Sequence, residues 1–269
     1  MESIEVLNND LFSLKGKTIL ITGGTGLIGS GFAEVLYSYG ANVIIGDIDV
    51  KRADIMINRI RRNKMENKVI FKYLDITDSE SVNKCLMNIM NEFKTINVVI
   101  NNAYPRNKNY GNKYEDIHFE DWRENVDMHL NGYFLVCQIF SKQMIKQGFG
   151  KIINIASIYG LRAPRFNIYE GTNMTMPAEY SAIKGGIINF TRYLAAYLGK
   201  HQITANCISL GGVYDQQPTL FADNYSKNVP LGRMGSIDDF KGVIVFLSSD
   251  SSNYINGQNI IIDGGWTAT

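Results

Sequence analysis

The sequence contains little of what marks disulfide-rich or metal-dependent proteins. Its 269 residues include only three cysteines and three histidines. The cysteines are odd in number and far apart, which predicts reduced thiols in a core rather than a disulfide framework. The histidines lack the spacing of metal ligands, so we expect no metal site and disfavour a zinc-dependent enzyme.

The chain also lacks an excess of charge and long hydrophobic runs. It has 27 basic and 26 acidic residues, so no overall field attracts nucleic acid or a membrane surface. No 18-residue apolar run is present, which predicts no transmembrane helix. The first ten residues, MESIEVLNND, are polar and acidic, unlike a secretory signal. We therefore expect a cytoplasmic protein with a small-molecule substrate.

What the chain does have is a regular alternation of strand-like and helix-like segments. Strands are predicted at 17–22, 42–47, 69–74, 96–101, 151–156, 203–208 and 259–262, and helices at 27–39, 50–63, 79–92, 119–147, 178–199 and 237–248. This order predicts an α/β fold, a Rossmann-type doubly wound parallel sheet of about seven strands with helices on both faces. No linker is visible, so we expect one domain over 16–269 after a leader over 1–15.

A glycine-rich turn, TGGTGLIG at 22–29, follows the first predicted strand. Glycines allow a sharp turn and close approach of a pyrophosphate to a helix N-terminus, although a merely tight turn is the alternative. The next strand ends at Asp47, whose carboxylate can accept hydrogen bonds from ribose hydroxyls and repel a 2′-phosphate. NAD is therefore favoured over NADP, although Lys51 and Arg52 follow closely.

Polar residues end two more strands at the carboxyl edge of the sheet, where ligands bind in such folds. They are Asp75 in YLDITD and Asn102, with Ala103, in VVINNAY. A helix cap at Asp75 and a turn at Asn102 are the structural alternatives, and both are compatible with cofactor contact.

The predicted helix at 178–199 carries Tyr180 and Lys184, four residues apart and therefore on one face. A phenol has a pKa of roughly 10 in water, and a nearby ammonium favours its ionised form. A tyrosine tuned in this way exchanges a proton with a carbonyl or alcohol. Ser157, at the end of a strand, can donate to a substrate oxygen, although such a serine is more often a turn residue.

Taken in order and spacing, these motifs resemble the short-chain dehydrogenase/reductase family from about Lys15 to Trp266. The matching features are TGGTGLIG, Asp47, LDITD, NNA at 101–103, Ser157, YSAIK at 180–184, SLGGV at 209–213, PLGRMG at 230–235 and IIDGGW near the end. The insertion described below also looks like sugar-modifying members from bacterial surface-glycan and flagellin-glycosylation pathways.

The resemblance implies an NAD(P)-dependent oxidoreductase that forms a homotetramer or homodimer, paired through the helix of Tyr180. It makes Tyr180 the acid/base, Lys184 the residue that lowers its pKa and holds the nicotinamide ribose, and Ser157 the residue that polarises the substrate oxygen. It places cofactor contacts at Gly23, Thr25, Gly26, Leu27, Ile28, Asp47, Asp75, Ile76, Asn102, Ala103, Gly211 and Val213, besides Tyr180 and Lys184.

The chain departs from the family pattern at four positions. His129 stands where the family usually has a catalytic Asn, and either a proton relay or a packed core residue fits it. Leu27 replaces a small residue of the glycine turn, Leu210 replaces a proline, and Asp215 stands where a threonine usually contacts phosphates. Leu210 and Asp215 leave open how the cofactor is held after the sixth strand.

Ser157 and Tyr180 enclose an insertion that is longer than the family's usual spacing. It carries Tyr159, Arg162 and Arg165, and the loop after the fourth strand adds Tyr104 and Arg106. Arginine binds phosphate and carboxylate through paired hydrogen bonds. These residues predict a sugar-derived substrate, with phosphorylated and nucleotide-linked sugars among the candidates; surface or subunit contacts are the alternative for the arginines.

Residues 214–229 have no clear period and are predicted to act as a lid. Three other functions stay open from the sequence. They are an NADPH-dependent carbonyl or 3-ketoacyl reductase, a non-catalytic NAD-binding subunit, and an epimerase or dehydratase that recycles bound NAD.

Overall fold

A seven-stranded parallel sheet forms the centre of the protein, in a computed structural model that describes residues 11–63 and 65–269. Its strand order is β3-β2-β1-β4-β5-β6-β7, which confirms the predicted doubly wound α/β fold. The strands are β1 (Thr18–Thr22), β2 (Asn42–Asp47), β3 (Val69–Tyr73), β4 (Val98–Asn101), β5 (Gly150–Ser157), β6 (Ile203–Leu210) and β7 (Asn259–Ile262). Of the predicted leader, residues 1–10 lie outside the described residues, and Leu14 is buried against the domain.

Helices cover both faces of this sheet because each presents one apolar stripe to it. The helices are α1 (Leu27–Ser38), α2 (Val50–Ile60), α3 (Ser79–Phe93), α4 (Phe119–Val126), α5 (Gly132–Gln147), α6 (Ala178–Leu198), α7 (Thr219–Ser226) and α8 (Asp238–Ser248). The apolar residues of α1, α2 and α8 form one core layer, and those of α3, α5 and α6 form the other. Within the described part of the chain, no helix combines the length and hydropathy needed to cross a membrane.

Two elements differ from the sequence prediction. The single helix predicted over 119–147 is divided by a π-helical turn, Asp127–Asn131, between α4 and α5. Apolar residues continue across the turn, so the sequence pattern shows no interruption, and π-turns are common at functional sites. The segment predicted as an irregular lid contains α7, which buries only Phe221 and Tyr225. Two buried apolar residues are too few to show a helical period, so the sequence did not predict this helix.

Helix α6 packs its apolar stripe on the sheet and leaves Tyr193 and Tyr197 outside. Ile183, Ile187 and Leu198 of this helix are buried. The rings of Tyr193 and Tyr197 are exposed and stacked, with centroids 5.9 Å apart. The pairing of subunits through α6 stays a prediction.

The backbone of α6 rests directly on Gly160, in the short 3₁₀ turn that follows β5. A Cβ atom at Gly160 would lie 2.6 Å from the Lys184 carbonyl carbon and 2.8 Å from the Gly185 amide nitrogen. We expect Gly160→Ala to lower the free energy of unfolding by about 1–3 kcal/mol, because the helix must shift to admit the methyl group. Urea denaturation measures this change.

Gly242→Ala is the matched control for that substitution. A Cβ atom at Gly242, within α8, meets nothing within 4 Å, so the same chemical change is expected to raise stability by up to about 1 kcal/mol. Equal effects at the two positions would contradict the close packing of α6 on Gly160.

Candidate active site

A cavity of about 280 Å³ opens at the carboxyl edge of the sheet, beside the ends of β5 and β6. Ser157, Tyr180 and Lys184, the three residues predicted to be catalytic, line this one space. Residues predicted to contact the cofactor line it too, at Ile28, Asn102, Gly211 and Val213. The fold brings these residues together because parallel strands all end at the same edge.

Lys184 is buried and held at two points. Its ammonium donates to the Ile155 carbonyl oxygen at 2.8 Å, and its Nζ lies 3.3 Å from Nε2 of His129. Burial lowers the pKa of Lys184 to about 7, and it lowers the pKa of His129 well below its usual value, with the Lys184 charge adding to the effect. A neutral His129 can therefore accept a hydrogen bond from the ammonium.

The π-helical turn places His129 in this position. Its ring is 1% exposed and packs on Tyr104 and Tyr133, with centroids 5.2 Å from each. The neighbouring Asn131, two residues on, is exposed and bonds to Asp127 instead. His129 is therefore packed in the core and also contacts the Lys184 ammonium.

Tyr180 is half-buried at the cavity, and desolvation by the neighbouring protein raises the pKa of its phenol. Hydrogen bonding with Ser157 opposes part of this rise. The sequence had suggested a pKa lowered by Lys184, but that ammonium lies 5.7 Å from the Tyr180 ring centroid and is directed to Ile155. Burial therefore favours the protonated phenol, and a lowering of its pKa by Lys184 stays a prediction.

The glycine turn between β1 and α1 forms a cradle that side chains would fill. Gly23 has a φ of +61°, and a Cβ atom there would lie 2.6 Å from the Ala103 Cα atom. At Gly29, a Cβ atom would lie 2.4 Å from the Gly23 carbonyl oxygen. Side chains at these two positions would clash with the neighbouring backbone, so glycine is required for the tight turn that precedes the N-terminus of α1.

The N-terminus of α1 is suited to a phosphate. Its N-cap is Gly26, which supplies no side-chain hydrogen bond, and its first turn has no acidic residue. In contrast, α2 and α3 begin with Asp49 and Asp78, whose carboxylates accept from backbone amides of the first turn. The first amides of α1 thus keep their capacity to bind an anion, and the residues present fit a dinucleotide.

Asp47 lies between this turn and the end of β2. One carboxylate oxygen accepts from Thr25, from the backbone amide at 3.0 Å and from the hydroxyl at 2.7 Å. The other accepts from the amides of Ile48 at 2.8 Å and Asp49 at 3.1 Å. These bonds hold a carboxylate where the sequence predicts the adenosine ribose.

The remaining predicted cofactor residues lie along the same edge. Asn102 donates its side-chain amide to the Gly23 carbonyl at 3.0 Å, which joins the end of β4 to the turn. Asp75 accepts hydrogen bonds from the amide and hydroxyl of Thr77, and the helix cap considered for it is supplied by Asp78 instead. The Ile76 side chain is buried in the core, so only its backbone is available to a ligand.

Among the predicted substrate residues, Tyr104 and Tyr159 line the cavity. The Tyr104 ring lies 5.6 Å from that of Tyr180, and its hydroxyl bonds to Tyr110. The Arg106 guanidinium stacks on Tyr104, 5.2 Å from the ring centroid, and does not line the cavity.

The structure does not bring Arg162 or Arg165 to the cavity. Arg162 is exposed. Arg165 stacks on Trp266 at 5.1 Å and donates to the side chain of Asn228 and the carbonyl of Thr269. Folding directs these two side chains to solvent and to the C-terminal segment, and their contact with a substrate stays a prediction.

Six other residues that line the cavity were not predicted from the sequence. They are aromatic and methionine side chains of the insertion, of α7 and of the segment before α8, namely Tyr169, Met174, Met176, Phe221, Tyr225 and Met234. They lie in segments without a period, so their inward direction left no signal in the sequence. Among residues 11–63 and 65–269, no cluster of three His, Cys, Asp or Glu side chains could hold a metal ion.

Comparison with known proteins agrees with this geometry. A family model described as enoyl-(acyl carrier protein) reductase matches residues 25–267. The post-translational flagellin modification protein A of Campylobacter coli is 33% identical over 254 residues, covering 94% of this chain and 99% of the relative.

Two solved structures are also similar, each with a TM-score of 0.86. One is a short chain dehydrogenase from Leptospira borgpetersenii with bound NAD+, which is 35% identical and covers 98% of this chain and 97% of its own. The other is a gluconate 5-dehydrogenase from Burkholderia cenocepacia in complex with NADP and tartrate, which is 28% identical and covers 97% and 98%.

Proposed function

The chain belongs to the short-chain dehydrogenase/reductase family, and on this basis we propose that it is an NAD-dependent enzyme that interconverts a secondary alcohol and a ketone on a sugar-derived substrate. Membership makes it an oxidoreductase that acts on a CH–OH group with NAD or NADP. The observation that carries the proposal is that Ser157, Tyr180 and Lys184 meet in one cavity with the predicted cofactor residues.

Each of these residues has a role that its surroundings support. Tyr180, protonated at neutral pH, donates its proton to the carbonyl oxygen in reduction and takes it back in oxidation. Ser157 adjoins Tyr180 and is available to hydrogen-bond the same oxygen. Lys184 lies behind the phenol, and His129 positions it. NAD, when bound, accepts or supplies the hydride.

The choice of NAD rests on Asp47. The similar structures hold NAD+ in one case and NADP in the other, so family membership alone leaves the cofactor open. The carboxylate of Asp47 is tied to the glycine turn through Thr25 and cannot turn away without breaking those bonds. A 2′-phosphate beside it would meet a fixed like charge, which is unfavourable.

We expect Asp47→Asn to lower the ratio of the NADP Kd to the NAD Kd by about tenfold or more, because one negative charge is removed beside the 2′-position. Fluorescence titration with both dinucleotides measures the ratio. Asp75→Asn is the control, since Asp75 bonds locally to Thr77 and is predicted to lie at adenine instead. An unchanged ratio in Asp47→Asn would reject the proposed basis of NAD preference.

A sugar-derived substrate is supported by the phenols around the cavity and by two relatives. One is named for flagellin modification and the other is a gluconate dehydrogenase with tartrate bound. The family description, which refers to an acyl carrier protein, supports a second candidate, the NADPH-dependent reduction of an acyl thioester.

A direct assay separates the two candidates. We expect NADH to form when the enzyme is screened with NAD against sugar alcohols and aldoses, with no oxidation of NADPH by a 3-ketoacyl thioester. The reverse result would favour the reductase. Binding of NAD without turnover of any alcohol or ketone would favour the non-catalytic subunit or an epimerase or dehydratase that recycles bound NAD.

A further inference from the structure

Three tyrosines line the cavity and form what we call the tyrosine wall. This tyrosine wall consists of Tyr159 and Tyr169 from the insertion and Tyr225 from α7, all at most 6% exposed. They belong to a separate apolar cluster that joins the insertion, α7 and Trp266. The wall is therefore built by two segments, the insertion and α7, that lie at the carboxyl edge of the sheet.

The cavity is almost free of charge. Among the described residues that line it, Lys184 is the only one with a charged side chain, and its ammonium is already bonded to Ile155. Burial raises the pKa of Tyr169 to about 12 and raises those of Tyr159 and Tyr225 further, so the wall stays neutral. A phosphate or carboxylate entering this space would lose its hydration without gaining a free cation, which is costly.

The hydroxyls of the tyrosine wall can still form hydrogen bonds with an uncharged ligand. The Tyr225 hydroxyl accepts from the Gly212 amide at 2.6 Å and keeps its own hydrogen to donate. The hydroxyls of Tyr159 and Tyr169 lie 3.5 Å apart, longer than a good O–H···O bond, so each can turn to a ligand. Thr175 adds a further hydroxyl to the lining.

Apolar surfaces alternate with these hydroxyls. The thioethers of Met174, Met176 and Met234 and the ring of Phe221 line the cavity beside the tyrosine wall. Aromatic rings with a polar tip suit a ligand that has both C–H surfaces and hydroxyl groups. An alkyl chain would leave the phenols unpaired, and an anion would find no free cation to offset the loss of its hydration.

We propose that the part of the substrate that enters this cavity is an uncharged polyol or sugar, and that the site selects against the corresponding phosphate. The inference rests on the proposed alcohol–ketone chemistry and narrows its substrate class. It replaces the negatively charged sugar that the arginines of the sequence had suggested, because Arg165 is bound to the C-terminal segment and Arg106 lies outside Tyr104.

Methionine methyl NMR tests this inference without relying on turnover. Protein labelled with ¹³C at the methionine methyl groups and saturated with NAD is titrated with open-chain sugar alcohols and with their terminal phosphates. The signals of Met174, Met176 and Met234, assigned with single Met→Leu variants, are expected to shift at concentrations at least about tenfold lower for the neutral member of each pair, a difference of about 1.4 kcal/mol.

Tyr169→Phe removes one hydroxyl from the tyrosine wall. It is expected to raise the Kd of the neutral sugar alcohol about tenfold, because one hydrogen-bonding group of the ligand then has no partner. Tyr193→Phe, exposed on α6, is the matched control and should bind as the unmodified protein does. Circular dichroism checks that both variants fold. Arg106→Gln should leave the preference for the neutral member unchanged, since Arg106 does not line the cavity.

Tighter binding of the phosphates, or the absence of any methyl shift with neutral polyols up to their solubility limit, would overturn the inference. Its failure is distinguishable from failure of the proposed function. Turnover of phosphorylated sugars alone would support the reaction and reject the neutral substrate. Methyl shifts with neutral polyols but no NADH formation would support the neutral ligand and reject the proposed reaction.

Discussion

Replacing Tyr180 with phenylalanine is expected to lower kcat by about 10²–10⁴-fold, the range that general acid–base catalysis supplies. The substitution removes one hydroxyl and keeps the ring that packs against Tyr104. Because the predicted contacts of the dinucleotide are mostly with the glycine turn, Asp47 and Asn102, NAD affinity should change little. Steady-state kinetics and NAD titration on the same preparation separate the two quantities.

Tyr193→Phe serves as the control for this experiment as well. It removes a hydroxyl from the same helix at an exposed position, so both kcat and NAD affinity are expected to stay at the level of the unmodified enzyme. If Tyr180→Phe kept its turnover, Tyr180 would not be the proton donor and the enzyme mechanism proposed above would fail.

Lys184→Met is expected to lower kcat/KM by about 100-fold or more, because it removes the cation beside the phenol while nearly preserving side-chain volume. The change also removes the donor to the Ile155 carbonyl, at the strand that ends in Ser157. NAD affinity is expected to fall too, since the family role of this lysine includes the nicotinamide ribose. Lys200→Met, an exposed position near the end of the same helix, should leave both quantities unchanged.

The free energy of unfolding is also expected to depend on pH through Lys184. Lys184 has a pKa of about 7 in the folded chain, against about 10.4 when unfolded, because burial disfavours its charge. Between these values the unfolded chain binds more protons, so the free energy of unfolding rises with pH, by up to about 1.4 kcal/mol per pH unit. Below pH 7 both states are protonated, and this contribution is absent.

Denaturant titrations of the unmodified protein and Lys184→Met at pH 6, 7, 8 and 9 test this behaviour. Only the unmodified protein should gain stability from this source between pH 7 and 9, so the difference between the two free energies should change with pH across that window. Parallel pH profiles would show that Lys184 is not held in a desolvating environment.

The local sequence was sufficient to predict the seven strands, most helices and the glycine turn. Buried parallel strands appear as continuous apolar runs, and a helix shows its period within a dozen residues. Asp47, Ser157 and Asn102 could be placed at one edge of the sheet for the same reason, since each follows a predicted strand. These features depend on neighbours in the sequence.

The tertiary structure alone decided the character of the cavity. Arg165 carries a charge wherever it lies, but only its contacts with Trp266 and Thr269 direct it away from the cavity. The inward direction of Tyr169 and Tyr225 likewise depends on how the insertion and α7 fold over the sheet. Such contacts join residues far apart in the chain, and no local period records them.

The protonation of Tyr180 and Lys184 likewise depends on the tertiary structure. The sequence placed Tyr180 and Lys184 on one face of a helix, which is a local property of α6. Whether the ammonium lowers the phenol's pKa depends on desolvation and on the partners at His129 and Ile155, which reach Lys184 from other elements. The sequence by itself therefore determined the fold and the chemical groups, whereas long-range packing decided their charge state and the substrate surface, because burial and polar contact arise only after the segments meet.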